Sequence, residues 1–208
     1  MAGFEEVKAT FWGEGLYGVK PPLTDAVVEN AERRLGVRLP ASLLEILWVQ
    51  NGGVVADSWN AFPTDMPTSW SENHVPFDEL MGIGRHDGRL SVLDTSYLVE
   101  EWGLPSPLVL LSGDGHCWIA LDYRACGKDG EPSVTWFDVD DSLELPLAAD
   151  FQVFVERLTA AASLDLDHAD GNPSTSSTAR RSVVSSSDSD AGTPSSGPLG
   201  DKQSIRSP

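Results

Sequence analysis

The sequence predicts an α+β protein with a single folded domain, in which N-terminal and C-terminal helices flank a central antiparallel sheet, followed by a disordered C-terminal tail. Three observations support this fold class. Residues 23–53 and 150–158 show helical spacing of apolar side chains, whereas residues 53–139 consist largely of short apolar runs separated by turn residues. Strands that follow one another in this way form antiparallel sheets rather than alternating βαβ units.

Aromatic residues define the extent of the folded domain. All seven Trp, seven Phe and three Tyr precede residue 155, and the Ser-, Gly- and Pro-rich segment 163–208 contains none. Such a segment buries too little apolar surface to offset the entropy of ordering. We therefore divide the chain into an N-terminal extension at residues 1–19, a folded domain at 20–162 and a disordered tail at 163–208.

Three helices are marked by caps and apolar spacing. Thr24 is placed to cap the first helix, and Gly36 to end it in the left-handed conformation. Pro40 suits the first turn of the second helix, which stops at Asn51-Gly52-Gly53. Asp150 is placed to cap the last helix, whose apolar residues are spaced i, i+3, i+4 and i+7: Phe151, Phe154, Val155 and Leu158.

Five segments between these helices have the composition of strands: residues 53–57, 77–84, 108–111, 117–123 and 133–139. In the fourth, Cys117, Ile119 and Leu121 alternate with Trp118, Ala120 and Asp122, which predicts a half-buried strand. The turn residues within 124–132 predict that it forms an antiparallel hairpin with the fifth. A short helix is expected at residues 94–103.

The net charge limits the classes of partner. The chain has 32 Asp and Glu but only 14 Lys and Arg, which gives a net charge of −18. Proteins that bind nucleic acids meet the phosphates with clustered cations. The composition therefore argues against nucleic-acid binding and favours a basic protein partner.

Several observations predict a cytoplasmic protein without membrane contact. No stretch approaches the roughly 18 consecutive apolar residues of a membrane helix, and the N-terminus lacks the basic-then-apolar order of a signal peptide. The two cysteines, Cys117 and Cys126, are too few for a disulfide scaffold, which favours a reducing compartment.

Templates for catalysis and cofactor binding are not matched. The glycines that begin at Gly82 depart from the dinucleotide fingerprint, because the third falls at Gly88 instead of residue 87. An EF-hand loop from Asp138 would have Leu143 and Ala149 where Gly and Glu are required. We expect no catalytic residues, no metal and no cofactor, and we interpret the acidic run 138–142 as a strand end and turn.

The adjacent His116 and Cys117 do not predict a nucleophile. Neighbouring residues on a strand point to opposite faces, and Cys117 is in phase with apolar residues, so we expect an inert thiol. A small enzyme that uses His116, Asp114 and Asp122 is the least favoured alternative.

The candidate partner-binding segment is residues 57–78, which we expect to be a long loop. It carries Trp59, Phe62, Trp70 and Phe77 among several carboxylates. Aromatic side chains in such a loop either anchor a partner or cap the core, and both interpretations remain open. The candidate binding residues are Asp57, Trp59, Asp65, Trp70, Glu72 and Asp78.

The motifs resemble those of the SUKH superfamily, the Smi/Knr-like domains, over roughly residues 20–160. The similarity lies in the string from Leu23 through Leu39-Pro40 to Asn51-Gly52-Gly53, in Asp114-Gly115 before a strand, in Trp136-Phe137, and in the final helix 149–154. Two departures are Asp150, in place of a small hydroxyl cap, and the long Trp- and Pro-containing loop after Gly53.

This resemblance implies an α+β domain without catalytic residues that acts by binding proteins. Similar bacterial domains are immunity proteins that neutralise toxins, many of them nucleases, and similar fungal domains regulate cell-wall synthesis. A basic nuclease groove would fit the acidic composition. The alternative is a regulatory scaffold in which the tail, with Arg180-Arg181-Ser182 and residues 185–190, is phosphorylated.

Overall fold

The computed structural model describes residues 2–84 and 88–169, and the predicted tail from residue 170 onward lies outside the described residues. Its helices are α1 (Phe4–Thr10), α2 (Asp25–Leu35), α3 (Ala41–Val49), α4 (Thr95–Glu101), α5 (Phe151–Glu156) and α6 (Ala161–Ala169). Its strands are β1 (Gly53–Val54), β2 (Ala61–Pro63), β3 (His74–Pro76), β4 (Glu79–Leu80), β5 (Leu108–Gly113), β6 (Cys117–Asp122), β7 (Ser133–Asp138) and β8 (Leu143–Ala148). Within the described ranges, every helix is too short or too polar to cross a bilayer.

The predicted capping interactions are confirmed. The Thr24 hydroxyl accepts a hydrogen bond from the Val27 amide at the start of α2, and Gly36 ends this helix with φ of 72°. The Asp150 carboxylate accepts from the amide of Val153 and caps α5. These contacts form between residues close in sequence, which is why the sequence predicts them.

Asn51 explains the turn that follows α3. Its side-chain amide donates to the carbonyls of Pro21 at 2.6 Å and Ile83 at 2.8 Å, and its Oδ1 accepts from the Ile83 amide at 2.8 Å. Asn51 is buried, so these bonds form in a setting where an unpaired amide would be costly. Gly52, with φ of 83°, lets the chain turn close to Gly82.

The main sheet is a four-stranded antiparallel meander in the order β5-β6-β7-β8. The hairpin of β6 and β7 is confirmed, with Ile119 paired to Trp136. The expectation of a half-buried β6 is wrong, because Trp118 and Ala120 on the second face are as buried as Ile119 and Leu121. Trp102, which follows α4, packs against Trp118 with ring centroids 6.4 Å apart and helps to cover that second face.

Strand β8 is an additional edge strand that the sequence analysis did not identify. Its alternating Leu143, Leu145 and Leu147 are typical of a strand, but Pro146 interrupts the pattern. Proline cannot donate to a sheet ladder and is tolerated on edge strands. The edge position in the sheet accounts for a proline inside a strand.

Residues 57–78 do not form one long loop, and that expectation is wrong. Strands β2 and β3 pair within this segment as an antiparallel hairpin. Phe62 and Phe77 are fully buried core residues. Phe62 stacks on Phe154 with ring centroids 5.1 Å apart, and Phe77 meets Phe154 edge to face at 5.0 Å.

The two ends of the described chain both pack on the domain. In α1, Phe4 and Val7 are buried. After this helix, Trp12 forms an isolated antiparallel β-bridge with Val55. Part of the N-terminal extension therefore contributes to the core. Helix α6 crosses residue 163, where the sequence predicts that the tail begins. It is fastened by the Asn73 side chain, which donates to the carbonyl of Leu164 at 2.9 Å.

Candidate functional site

Trp70 lies in the loop of residues 64–73 that joins β2 to β3. Trp70 is 53% exposed, the largest exposed fraction among the tryptophans, followed by Trp48 at 48%. Asp65 and Glu72 are exposed on the same loop. Three of the six candidate residues therefore belong to one projecting loop.

Hydrogen bonds hold this loop in place. The Thr68 amide donates to the Ser71 carbonyl at 2.8 Å, and the Thr68 hydroxyl accepts from the amides of Trp70 and Ser71. The Ser69 hydroxyl donates to the carboxylate of Asp138 at the end of β7. These bonds fix the backbone on both sides of the Trp70 ring.

Trp70 lines a cavity of about 230 Å³, which we call the Trp70 cleft. It opens where β3 and β4 approach the turn between β5 and β6. Its lining comprises Trp70, Pro76, Asp78, Glu79, Ser112, Gly113, Asp114, Cys117, Trp118, Ile119 and Trp136. Among these described lining residues, three are acidic and none is basic, so the cleft suits a cationic group.

Loss of solvation disfavours negative charge on Asp78, which is exposed at the surface, and on Glu79, which is half-buried. Loss of solvation raises the pKa of Asp78, and the nearby charge of Asp57 raises it further, while Asn60 acts in the opposite direction. Loss of solvation also raises the pKa of Glu79, although the charges of Arg89 and Lys20 partly offset this. A cation entering the cleft would stabilise both ionised groups.

Asp114 shapes the turn at the end of the cleft. Its Oδ1 accepts from the amides of His116 at 2.9 Å and Cys117 at 3.0 Å. Gly113 precedes it because a Cβ there would overlap the Trp118 ring. The dipeptide Asp114-Gly115 predicts a turn, but local sequence carries no signal that this turn lines the same cavity as Trp70.

A smaller cavity of about 160 Å³ adjoins the Trp70 cleft and shares Glu79, Ser112 and Gly113 with it. Here the guanidinium of Arg89 lies 3.7 Å from the centroid of the Tyr17 ring and donates to the Tyr17 hydroxyl. Neither residue was a candidate in the sequence analysis. The chain thus already holds one guanidinium on an aromatic ring beside Glu79.

The remaining candidates lie outside the cleft. Trp59 is half-buried against the core, and its indole donates to the Thr10 hydroxyl at 3.0 Å. This arrangement is what the core-capping interpretation predicts for Trp59. Asp57 is exposed in the turn before β2. Its negative charge raises the pKa of Asp78.

The residues of the enzyme alternative are held by separate partners. His116 pairs with Asp140 at 2.9 Å, Asp114 caps its own turn, and Asp122 is bound by Arg124 at 2.6 Å. Burial raises the pKa of the Cys117 thiol to about 11, in keeping with an unreactive thiol. The acidic run from Asp138 forms a strand end and turn, as expected, in which Asp138 accepts from the Asp141 amide.

Comparison with known proteins agrees with the motifs and the fold. No curated protein and no solved structure is significantly similar to the chain. The family profile described as SMI1 / KNR4 family (SUKH-1) matches residues 22–157, more than half of the chain. This match spans α2 through α5, including the Asn51 turn, the four-stranded sheet and the Trp70 cleft. The chain therefore belongs to the SMI1 / KNR4 family (SUKH-1).

Proposed function

We propose that this chain is an immunity-type protein that binds a basic protein, such as a toxin with nuclease-like character, and neutralises it. The acidic composition supports this role, because a nuclease presents a basic surface to its substrate. The chain's net charge of −18 would attract such a surface from a distance.

The observation that carries the proposal is that the exposed Trp70 lines one cleft together with Asp78, Glu79 and Asp114. Large aromatic side chains in desolvated positions contribute much of the affinity at protein interfaces. Surrounding charges act mainly on specificity and on the rate of association. In this proposal Trp70 and Asp78 form the anchor, and Asp65 and Glu72 attract the partner.

Neutralisation then follows from steric and electrostatic exclusion. A domain seated on a basic groove replaces the phosphates that the groove would otherwise bind. No reaction by the chain is required, so its own residues need only hold the complex together. We assign Trp59 to the support of the core beside Thr10 and Asp57 to the acidic field around Asp78.

Capture from a native lysate with the full chain as bait, followed by identification of the captured protein, tests the proposal. We expect a basic protein whose association slows as salt shortens the Debye length from about 10 Å at 0.1 M to about 3 Å at 1 M. Stoichiometric addition of the chain should abolish the activity of that protein. A captured protein that is acidic, or whose association ignores salt, would contradict the proposal.

Variants separate the two proposed contributions. Glu72→Lys should chiefly slow association, whereas Trp70→Ala should chiefly speed dissociation, because an indole anchor is worth on the order of 2 kcal/mol. Asp129→Lys, at an exposed position in the loop between β6 and β7, is the matched charge control and should have a smaller effect.

The alternative is a regulatory scaffold of the cell-wall-synthesis type. The Ser-rich segment with Arg180-Arg181-Ser182 favours it, since phosphorylation there would change the local charge. These residues lie outside the described residues. Binding of the captured protein without loss of its activity, together with phosphorylation of the tail, would favour the scaffold over the immunity role.

A further inference from the structure

We infer that the Trp70 cleft is a receptor for one arginine side chain of the basic partner. This inference rests on the proposed function, because it names the group through which that partner engages the site. It goes further by assigning a ligand chemistry to one cavity and by identifying the residues that recognise it.

The size of the cleft favours a side chain over a cofactor. Its volume is about 230 Å³, below the roughly 300–1,000 Å³ of typical small-molecule pockets. The opening lies beside an exposed loop, so a side chain projecting from a partner surface can enter it. An extended side chain with a polar end fits such a short, open cavity.

The lining favours a guanidinium at that end. Arginine is planar, stacks on indole rings and donates paired hydrogen bonds to carboxylates. Trp70, Asp78 and Asp114 all line the cleft, which brings one exposed tryptophan and two acidic residues to the same cavity. Glu79 is partly balanced by Arg89 and Lys20, so Asp78 and Asp114 carry the charge that the arginine would compensate.

The adjoining cavity shows that this surface holds a guanidinium in the same manner. Arg89 lies on the Tyr17 ring, and its charge offsets part of the rise in the pKa of Glu79 that loss of solvation causes. The Trp70 cleft has the same combination of aromatic ring and carboxylate, but its described lining contains no cation. An arginine from a partner would complete it.

Titration of the full chain with the peptide acetyl-Gly-Arg-Gly-amide, followed through the indole N–H resonances, tests the inference. The Trp70 signal is assigned by its loss in Trp70→Ala. We expect the peptide to shift this signal saturably, and the citrulline version, which has the same shape without charge, to bind at least about tenfold more weakly. Equal shifts by both peptides, or no shift of Trp70, would overturn the inference.

Variants test the assigned residues. Asp78→Asn should weaken binding of the arginine peptide about tenfold, while Asp129→Asn, an exposed carboxylate outside the cleft, should leave it unchanged. Equal losses of affinity in both variants would show that binding depends only on the net charge of the chain, and would overturn the inference.

The outcome for the cleft is separable from that for the proposed function. If the chain inhibits a basic partner but Trp70→Ala and Asp78→Asn bind that partner normally, the assignment of the cleft to an arginine is overturned and the immunity role stands. If the arginine peptide binds the cleft but no basic protein is inhibited, the immunity role fails and the cleft is supported.

Discussion

The hydroxyl of Ser69 donates a hydrogen bond to the carboxylate of Asp138, which joins the loop that carries Trp70 to the end of β7. Asp138 is buried, and burial alone would raise its pKa. Hydrogen bonds from Ser69 and from the amides of Asp141 and Asp140 outweigh that effect and lower the pKa. This contact thus helps both to hold the loop in place and to stabilise a buried charge.

Ser69→Ala should therefore loosen the Trp70 loop and raise the pKa of Asp138. A hydrogen bond to a charged group contributes about 1.5–3 kcal/mol, and the amide of Asp141 still serves Asp138, so we expect a loss of stability near the lower end. Faster hydrogen exchange of the amides at residues 68–71 would show the loosening. Ser58→Ala, at an exposed serine, is the control, and equal exchange in both variants would contradict the prediction.

Phe154→Ala and Trp136→Ala should each lower the free energy of unfolding by roughly 3–5 kcal/mol. Both side chains are almost fully buried, and Phe154 contacts the rings of Phe62 and Phe77. Urea unfolding measures the loss. Tyr97→Ala, at a side chain that is 63% exposed, should change stability by less than about 0.5 kcal/mol. A loss below about 1 kcal/mol at Phe154 or Trp136 would show that the residue does not hold the core.

The ion pair of Asp122 and Arg124 should make the stability of the fold depend on pH in the acidic range. Burial of Asp122 opposes its charge, but the hydrogen bonds from Arg124 outweigh burial and lower the pKa of this carboxyl. A lowered folded-state pKa gives stability that is present above the ordinary Asp pKa of about 3.9 and lost as pH falls below it.

Arg124→Gln should remove about 1–3 kcal/mol at pH 7, because Asp122 stays buried without its cation. The difference from the wild type should shrink as pH falls toward 3, where Asp122 becomes protonated in the variant. Urea unfolding at both pH values checks this, with Lys128→Gln as an exposed control. A difference that stays constant with pH would contradict the assignment.

Two glycines with positive φ should respond differently to alanine. At Gly36 the added Cβ meets nothing within 4 Å, so Gly36→Ala should cost only the left-handed backbone, about 1–2 kcal/mol. At Gly52 the Cβ would overlap the backbone of Gly82, and Gly52→Ala should cost more than about 3 kcal/mol. Similar midpoints in urea would show that the Asn51 turn is not tightly packed.

Two truncations should separate α6 from the rest of the C-terminal segment. Removal of residues 170–208, whose composition predicts disorder, should leave the thermal midpoint within a few degrees. Removal from residue 163 also deletes most of α6 and its bond from Asn73 to Leu164, so it should lower the midpoint further. Identical midpoints would show that α6 adds nothing to the domain.

Local sequence spacing predicted the helices α2 and α3, the Thr24 and Asp150 caps, the Gly36 terminus and the β6–β7 hairpin. The helices and their caps depend on residues a few positions apart, and the hairpin joins two strands that follow one another along the chain, so neither requires reference to distant elements. The net charge likewise follows from the composition alone, without reference to the fold. These features were determined by the sequence itself.

Only the tertiary structure decided which aromatic residues of the segment 57–78 enter the core and which one stays exposed beside a cleft. Phe62, Phe77 and Trp70 lie in one short segment of similar composition, yet two are buried and one is exposed. Trp70 and Asp114 line the same cavity, and Ser69 beside Trp70 bonds to Asp138 across 69 residues of chain. Contacts between such distant residues depend on how all the elements pack together, and local periodicity carries no record of that packing.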